Sequence, residues 1–369
     1  MICIDLGTHT TKALAFPEEQ FSGEKLLSSE VTTLRTSILL KNDDRYSFGA
    51  AADSQLTLDN VFSCSSGFNR CLGYGSPIAL TNYQGVIQYF SPDDLLFRLF
   101  SEVRDVWRRK GCDSKELSTV ALSFPAGYTP SLFSDLHKVA ELSGFCRVLF
   151  VPEGEAAACC FSHIHKTDMG ENILVADWGW ESLRLYLLHK DAWGRYVLKE
   201  EYSEKIPDIG NQIIANSLIR LFMNENDITD EVLSDSPYLC CCIENQVNNG
   251  ILQLLQRHVI SIRLQAKSVN YLFSISQNQY RDAAKQASQK VKEQIERFLS
   301  KIPSVLSPRN VLFTGGGSQY PFVYDFITSS LPRLGWNGDS VLNSEAVIRG
   351  LGIHAAKYAS SQFYHEKYV

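Results

Sequence analysis

The sequence predicts an α/β protein built as two duplicated lobes around one central cleft. Three observations carry that expectation. Strand-like and helix-like stretches alternate along the chain, as they do in α/β domains. The 369 residues suit two domains of about 150–200 residues each. Residues 2–16 and 173–188 also share one plan of strand, acid, glycine, hydroxyl and strand. The acids are Asp5 and Asp177, and each is followed two residues later by a glycine, Gly7 or Gly179. The expected lobes are 1–170 and 171–369.

The elements follow in order. Apolar runs at Ile2–Ile4, Lys12–Phe16, Ser37–Leu40 and Gly85–Tyr89 read as strands. Ser91-Pro92 reads as the N-cap and first position of a helix. Leu95, Leu96, Leu99, Val103, Val106 and Trp107 then recur at helical spacing. "TVALSFPAG" (119–127) is a buried strand stopped by Pro125. A helix over about 131–143 and a strand at 147–154 follow. "NILVADWG" (172–179) and "ESLRLYLL" (181–188) form the second hairpin. Stretches 211–223 and 245–270 look helical, as does 277–300 with its stripe of Tyr280, Ala284, Ala287, Val291, Ile295 and Phe298. "NVLFTGGG" (310–317) is a buried strand entering a glycine turn, and a helix over about 345–358 closes the fold.

Composition excludes several classes. With 44% apolar and 21% charged residues the chain is ordinary and globular. A net charge of −6 argues against nucleic acid and anionic membranes as partners. Neither a spanning apolar run nor a basic leader stands out, so the expected location is the cytoplasm. The ten cysteines form no C-x-x-C pair and read as free, partly buried thiols. Cys240, Cys241 and Cys242 read as packing. His163 and His165 read as a surface pair rather than as metal ligands.

The paired hairpins suggest chemistry. Glycine and hydroxyls at a turn present backbone N–H groups and O–H groups to an anion. An acid beside them suits a phosphate only with a cation between, and Mg2+ takes one or two carboxylates plus phosphate oxygens. The P-loop pattern G-x-x-x-x-G-K-[ST] is absent.

In order, these motifs resemble the nucleotide-binding domain of DnaK-type heat-shock chaperones. That domain belongs to the superfamily of actin, bacterial MreB and the sugar kinases. "ICIDLGTHTTKAL" is similar to the first phosphate loop and "ILVADWGWESLRLYLL" to the second. "ALSFPAGYT" is similar to the switch-proline strand, "VPEGEAAACCF" to the segment bearing the acid near the attacking water, and "DIGNQIIAN" to the glycine turn of the second lobe. "VLFTGGGSQYPFV" is similar to the adenosine loop and "SEAVIRGLGIHAA" to the closing helix. The resemblance implies two RNase H-like lobes, the actin-like ATPase fold, with ATP or ADP and Mg2+ in the cleft. It implies Asp5 and Asp177 at the metal and Glu153 at the water. Gly7, Thr8, His9, Gly179 and Ser182 would hold phosphates. Lys267, Gly315, Gly316 and Gly317 would sit at adenosine.

The departures fall on the same residues. Trp180 and Glu181 stand where the family has glycines, and Arg184 stands where it has an acid. Asn69 occupies the place of the catalytic lysine, leaving the neighbouring Arg70 as the nearest cation for the phosphoryl group. Gln319 replaces the adenine-stacking arginine. Within these 369 residues no peptide-binding β-sandwich is expected after the closing helix. The leading expectation is therefore an ATP-binding, chaperone-related protein with slow or vestigial hydrolysis. The alternative is a pseudo-ATPase acting as interaction scaffold or regulator, and the third is an actin-like filament subunit. The expected partner is a protein or co-chaperone, and the expected state is a monomer.

Overall fold

The computed structural model describes residues 1–15, 29–41, 45–55, 60–73, 75–114, 116–125, 127–165, 170–234, 243, 246–247, 250–251, 253–254, 257–266, 269–320, 322–328 and 340–358. Lys267 and Cys240–Cys242 lie outside these residues, as does the side chain of Gln319.

Two mixed sheets dominate. The first has the order β10-β9-β1-β2-β3, with β1 at Ile2–Leu6, β2 at Thr10–Ala15, β3 at Thr32–Arg35, β9 at Thr119–Phe124 and β10 at Arg147–Pro152. The second has the order β13-β12-β11-β16, with β11 at Asn172–Trp178, β12 at Ser182–Lys190, β13 at Tyr196–Pro207 and β16 at Asn310–Thr314. Both are wired alike. An antiparallel meander, β1-β2-β3 or β11-β12-β13, is joined through its first strand to a parallel strand, β9 or β16.

Alternate side chains of each strand feed opposite faces, so a strand buried on both sides reads as a continuous apolar run. In β1, Ile2 and Ile4 face helices α1 (Pro92–Arg109) and α2 (Pro130–Leu142). Met1 and Cys3 face the opposite layer, which holds α3 (Glu153–Ile164) and α6 (Ser340–Tyr358). The second sheet repeats the scheme. Ile173 and Val175 face α3 and α6, whereas Leu174 and Ala176 face α4 (Gln212–Glu225) and α5 (Gln277–Lys301). The layers thus run helix, sheet, helix, sheet, helix, with α3 and α6 shared between the sheets.

Several sequence expectations land within a few residues. The Ser91 cap is present as a full capping box with Asp94. One does not: 259–276 is a hairpin, β14 (Val259–Ala266) and β15 (Val269–Ser276), not part of a helix. Ile260, Ile262, Phe273 and Ile275 are buried while Val259, Ser261, Leu272 and Ser274 are exposed, a period of two that a helix cannot supply. From Val259 on, the expected 245–270 helix is therefore replaced by strand among the described residues. Smaller ribbons complete the fold. They are β4 (Ser37–Leu40) with β5 (Tyr46–Phe48) and β6 (Cys64–Ser66), and β7 (Ile78–Thr81) with β8 (Ile87–Phe90). Among the described residues no helix is long and apolar enough to cross a membrane.

Candidate functional site

The two hairpin turns, β1–β2 and β11–β12, meet. The imidazole of His9 stacks on the indole of Trp180, with centroids 4.2 Å apart and planes 17° from parallel. Arg35, at the end of β3, hydrogen-bonds the other side of His9 and pairs with Asp53 at 3.1 Å. Burial first, and then the Arg35 charge, push the His9 pKa down to about 3, so the ring is neutral. Beside this stack, Arg70 Nη1, in the short helix Phe68–Cys71, lies 2.5 Å from Glu181 Oε1 and so ties that segment to the second turn. Arg70 Nε further donates to the Gly67 carbonyl at 3.0 Å. Asn69 Nδ2 reaches the Leu6 carbonyl at 3.5 Å.

Below the turns lie three carboxylates. Asp5 accepts a 2.7 Å hydrogen bond from Ser123 Oγ. Glu153, in the first turn of α3, accepts from Arg184 Nη1 at 2.8 Å and from the Tyr186 hydroxyl at 3.1 Å. Asp177 lies directly opposite Arg184 across the β11–β12 pair, with 3.8 Å between Oδ2 and Nη1. Arg184 thus bridges two of the three acids. Burial raises the pKa of Glu153, and Asp177 and Asp5 raise it further against the pull of Arg184. Burial likewise raises that of Asp177. The acids in turn hold Arg184 firmly charged.

The second turn is tied down by the 208–212 segment. Asn211 and Gln212 donate backbone N–H groups to the carbonyls of Gly179 and Trp180, at 2.9 and 3.0 Å. Trp178 Nε1 donates to the Ile209 carbonyl at 3.0 Å. Gly210 is required by this approach, because a Cβ there would lie 1.9 Å from the Trp180 carbonyl oxygen. Donors that would face an anion at the start of α4 are therefore engaged by protein carbonyls. The glycine turn after β16 closes on the same place. At φ +88, Gly315 has room for no Cβ, which would sit 2.3 Å from Asp177 Oδ1. Gly317 packs against Trp178, and Gly316 faces Asn211.

The structure therefore gathers Asp5, Gly7, Thr8, His9, Arg70, Glu153, Asp177, Gly179, Ser182 and Gly315–Gly317 around the meeting of the two turns, with the roles redistributed. Arg70 is committed to Glu181. Glu153 is committed to Arg184 and Tyr186. His9 is committed to Trp180 and Arg35. The donor set does not suit Mg2+: a guanidinium already bridges Glu153 and Asp177, and a dication there would face a fixed positive charge. No group of three or more His, Cys, Asp or Glu able to hold a metal exists among the described residues. The His165 ring lies 4.7 Å from that of Phe161, tilted by 40°. The described cysteines are free, and burial pushes the thiols of Cys3, Cys159 and Cys160 up to about 12.

Sequence reasoning missed Ser123, Arg35 and Tyr186. Tyr186 carried a signal, since it stands two residues after Arg184 on β12 and so shares its face. Ser123 and Arg35 carried none, because they reach the site only through sheet pairing. No protein-family model matches the chain, and no curated protein matches it significantly.

Proposed function

We propose that this chain is a divergent relative of the actin and heat-shock chaperone ATPases that has kept the two-lobed fold and replaced the metal–phosphate site with its own side chains. It then works as an interaction scaffold or regulator rather than as an ATPase. The common wiring of the two sheets and the α3–α6 layer between them support the fold reading. Arg184 carries the functional one. It supplies internally the positive charge that a magnesium ion brings to clustered carboxylates, and Arg70–Glu181 and His9–Trp180 fill the ground between the turns.

Calorimetry of the full chain with Mg–ATP tests this. The expected result is no saturable heat and no thermal shift at millimolar ligand. Binding at 100 times Kd would add about 2.7 kcal/mol of stability, which is easily seen. Saturable, magnesium-dependent binding overturns the proposal. One observation favours nucleotide binding as the second reading: Asn69 Oδ1, Asn211 Oδ1 and Thr314 Oγ1 are buried near the turns with no hydrogen-bond partner. A buried acceptor left unpaired costs about 1–3 kcal/mol, so a ligand donating to these atoms would gain from it.

A further inference from the structure

The β7–β8 ribbon breaks the usual pattern of an antiparallel sheet with one wet face. Its inner face is anchored. Leu80 and Phe90 are buried in the core of the first sheet's outer layer, and Phe90 meets Tyr46 edge-on. Its outer face is also apolar, and it is uncovered: Ile87 is 56% and Tyr89 71% exposed. Val86 and Tyr83 continue the exposure through the turn, and Phe62 stands exposed in the segment that packs beside β7. Large contiguous apolar exposure of this kind marks an interaction surface.

Two features say what meets it. The first is charge. Residues 71–92 contain no Asp, Glu, Lys or Arg, in a chain of net charge −6. Across a twofold axis the same patch meets itself, so a charge near the axis would meet its own copy. A charge-free patch is the surface on which a negatively charged chain can meet itself, and it offers no charge for a differently charged partner to match. The second is the open edge. Ser63 Oγ donates to the Thr81 carbonyl and occupies the β7 side. Among the described residues β8 pairs only with β7. Exposed strand edges normally carry charge, proline or a bulge to block pairing, and β8 (Ile-Gln-Tyr-Phe) carries no charge and no proline.

From these we infer that β8 is a self-association edge. Two copies of the chain pair β8 to β8, antiparallel about a twofold axis, with Ile87 and Tyr89 of each copy packing beside those of the other as cross-strand neighbours on one face.

Sedimentation velocity of the full chain across a wide concentration range tests the inference, with Ile87→Arg/Tyr89→Arg as the disrupting variant. Val305→Arg is the control, since Val305 is 83% exposed far along the sequence from this ribbon. The wild type and the control are expected to form a discrete dimer that tightens with added salt as repulsion between the negatively charged copies is screened. The disrupting variant is expected to weaken the dimer by about tenfold or more. Both substituted residues are exposed, and unchanged thermal unfolding confirms that the variant folds. Hydrogen exchange gives an independent reading: the amides of 86–90 slow on concentrating the wild type. A wild type that stays monomeric overturns the inference. So does a dimer indifferent to the double substitution, an open-ended polymer, or a complex with a different protein that the double substitution blocks while the chain itself remains monomeric.

Discussion

His9 and Trp180 stack ring on ring, one from each glycine turn, at a centroid distance of 4.2 Å. The residue expected to bind phosphate and the residue that stands in place of a glycine thus form a single contact. Together with Arg70–Glu181 and the Arg184 bridge, it turns the meeting of two turns into a closed set of protein–protein contacts.

Trp180→Ala should destabilise the chain. Beyond the loss of buried area, removing a stacked aromatic pair costs about 0.5–1.5 kcal/mol. Urea denaturation of the variant reads this directly. The backbone bond from Gln212 to the residue 180 carbonyl is retained, so a drop far beyond the stacking and burial losses together would mean that the turn itself had rearranged.

The neutral His9 predicts acid sensitivity. Its folded pKa, about 3, lies below the ordinary 6.5, so the unfolded chain binds more protons between those values. Stability contributed at this position is fully present above pH 6.5 and is lost as pH falls through the window. His9→Gln should remove that slope from a plot of unfolding free energy against pH.

Glu153 predicts the opposite slope. Its folded pKa is raised from 4.5 to about 7, so the folded chain holds the extra proton. Its contribution is present below pH 4.5 and fades as pH rises through 7. Glu153→Gln should flatten this limb while leaving the His9 limb in place, and the same pH series of denaturation curves distinguishes the two.

Arg184→Leu should be the most damaging single change. It leaves Glu153 and Asp177 buried without their cation, a loss of about 3–5 kcal/mol at pH 8. The loss should shrink at pH 5, where Glu153, its pKa already raised to about 7, takes up a proton. A pH-independent loss would show that packing, not charge, is what Arg184 contributes.

Arg70 and Glu181 should couple weakly. Arg70 is half exposed, and such pairs contribute below about 1 kcal/mol and fade with salt. A double-mutant cycle with Arg70→Ala and Glu181→Ala at low and high ionic strength measures it.

Much of this was legible in the residues. Ser91-Pro92 announced α1, the stripe from Tyr280 to Phe298 announced α5, and the two acid–glycine turns announced a repeated hairpin. The strands Val259–Ala266 and Val269–Ser276 overlap the end of the expected 245–270 helix, and their period of two becomes plain only once one face is buried. Arg184 was visible as a departure, but its partners were not. Glu153 precedes it by 31 positions on another element, and only the packing of α3 against β12 brings them together.

The sequence by itself determined the local alternation of strand and helix and the presence of two like turns, because side-chain periodicity and glycine placement act over a few residues. The tertiary structure alone decided what those turns do to each other. Whether Arg184 reaches solvent or two buried acids depends on how a helix packs on its strand, and whether Trp180 blocks a ligand or stacks on His9 depends on a contact between turns of different sheets more than a hundred residues apart. Burial and charge, which set the chemistry of the site, exist only once those segments have packed.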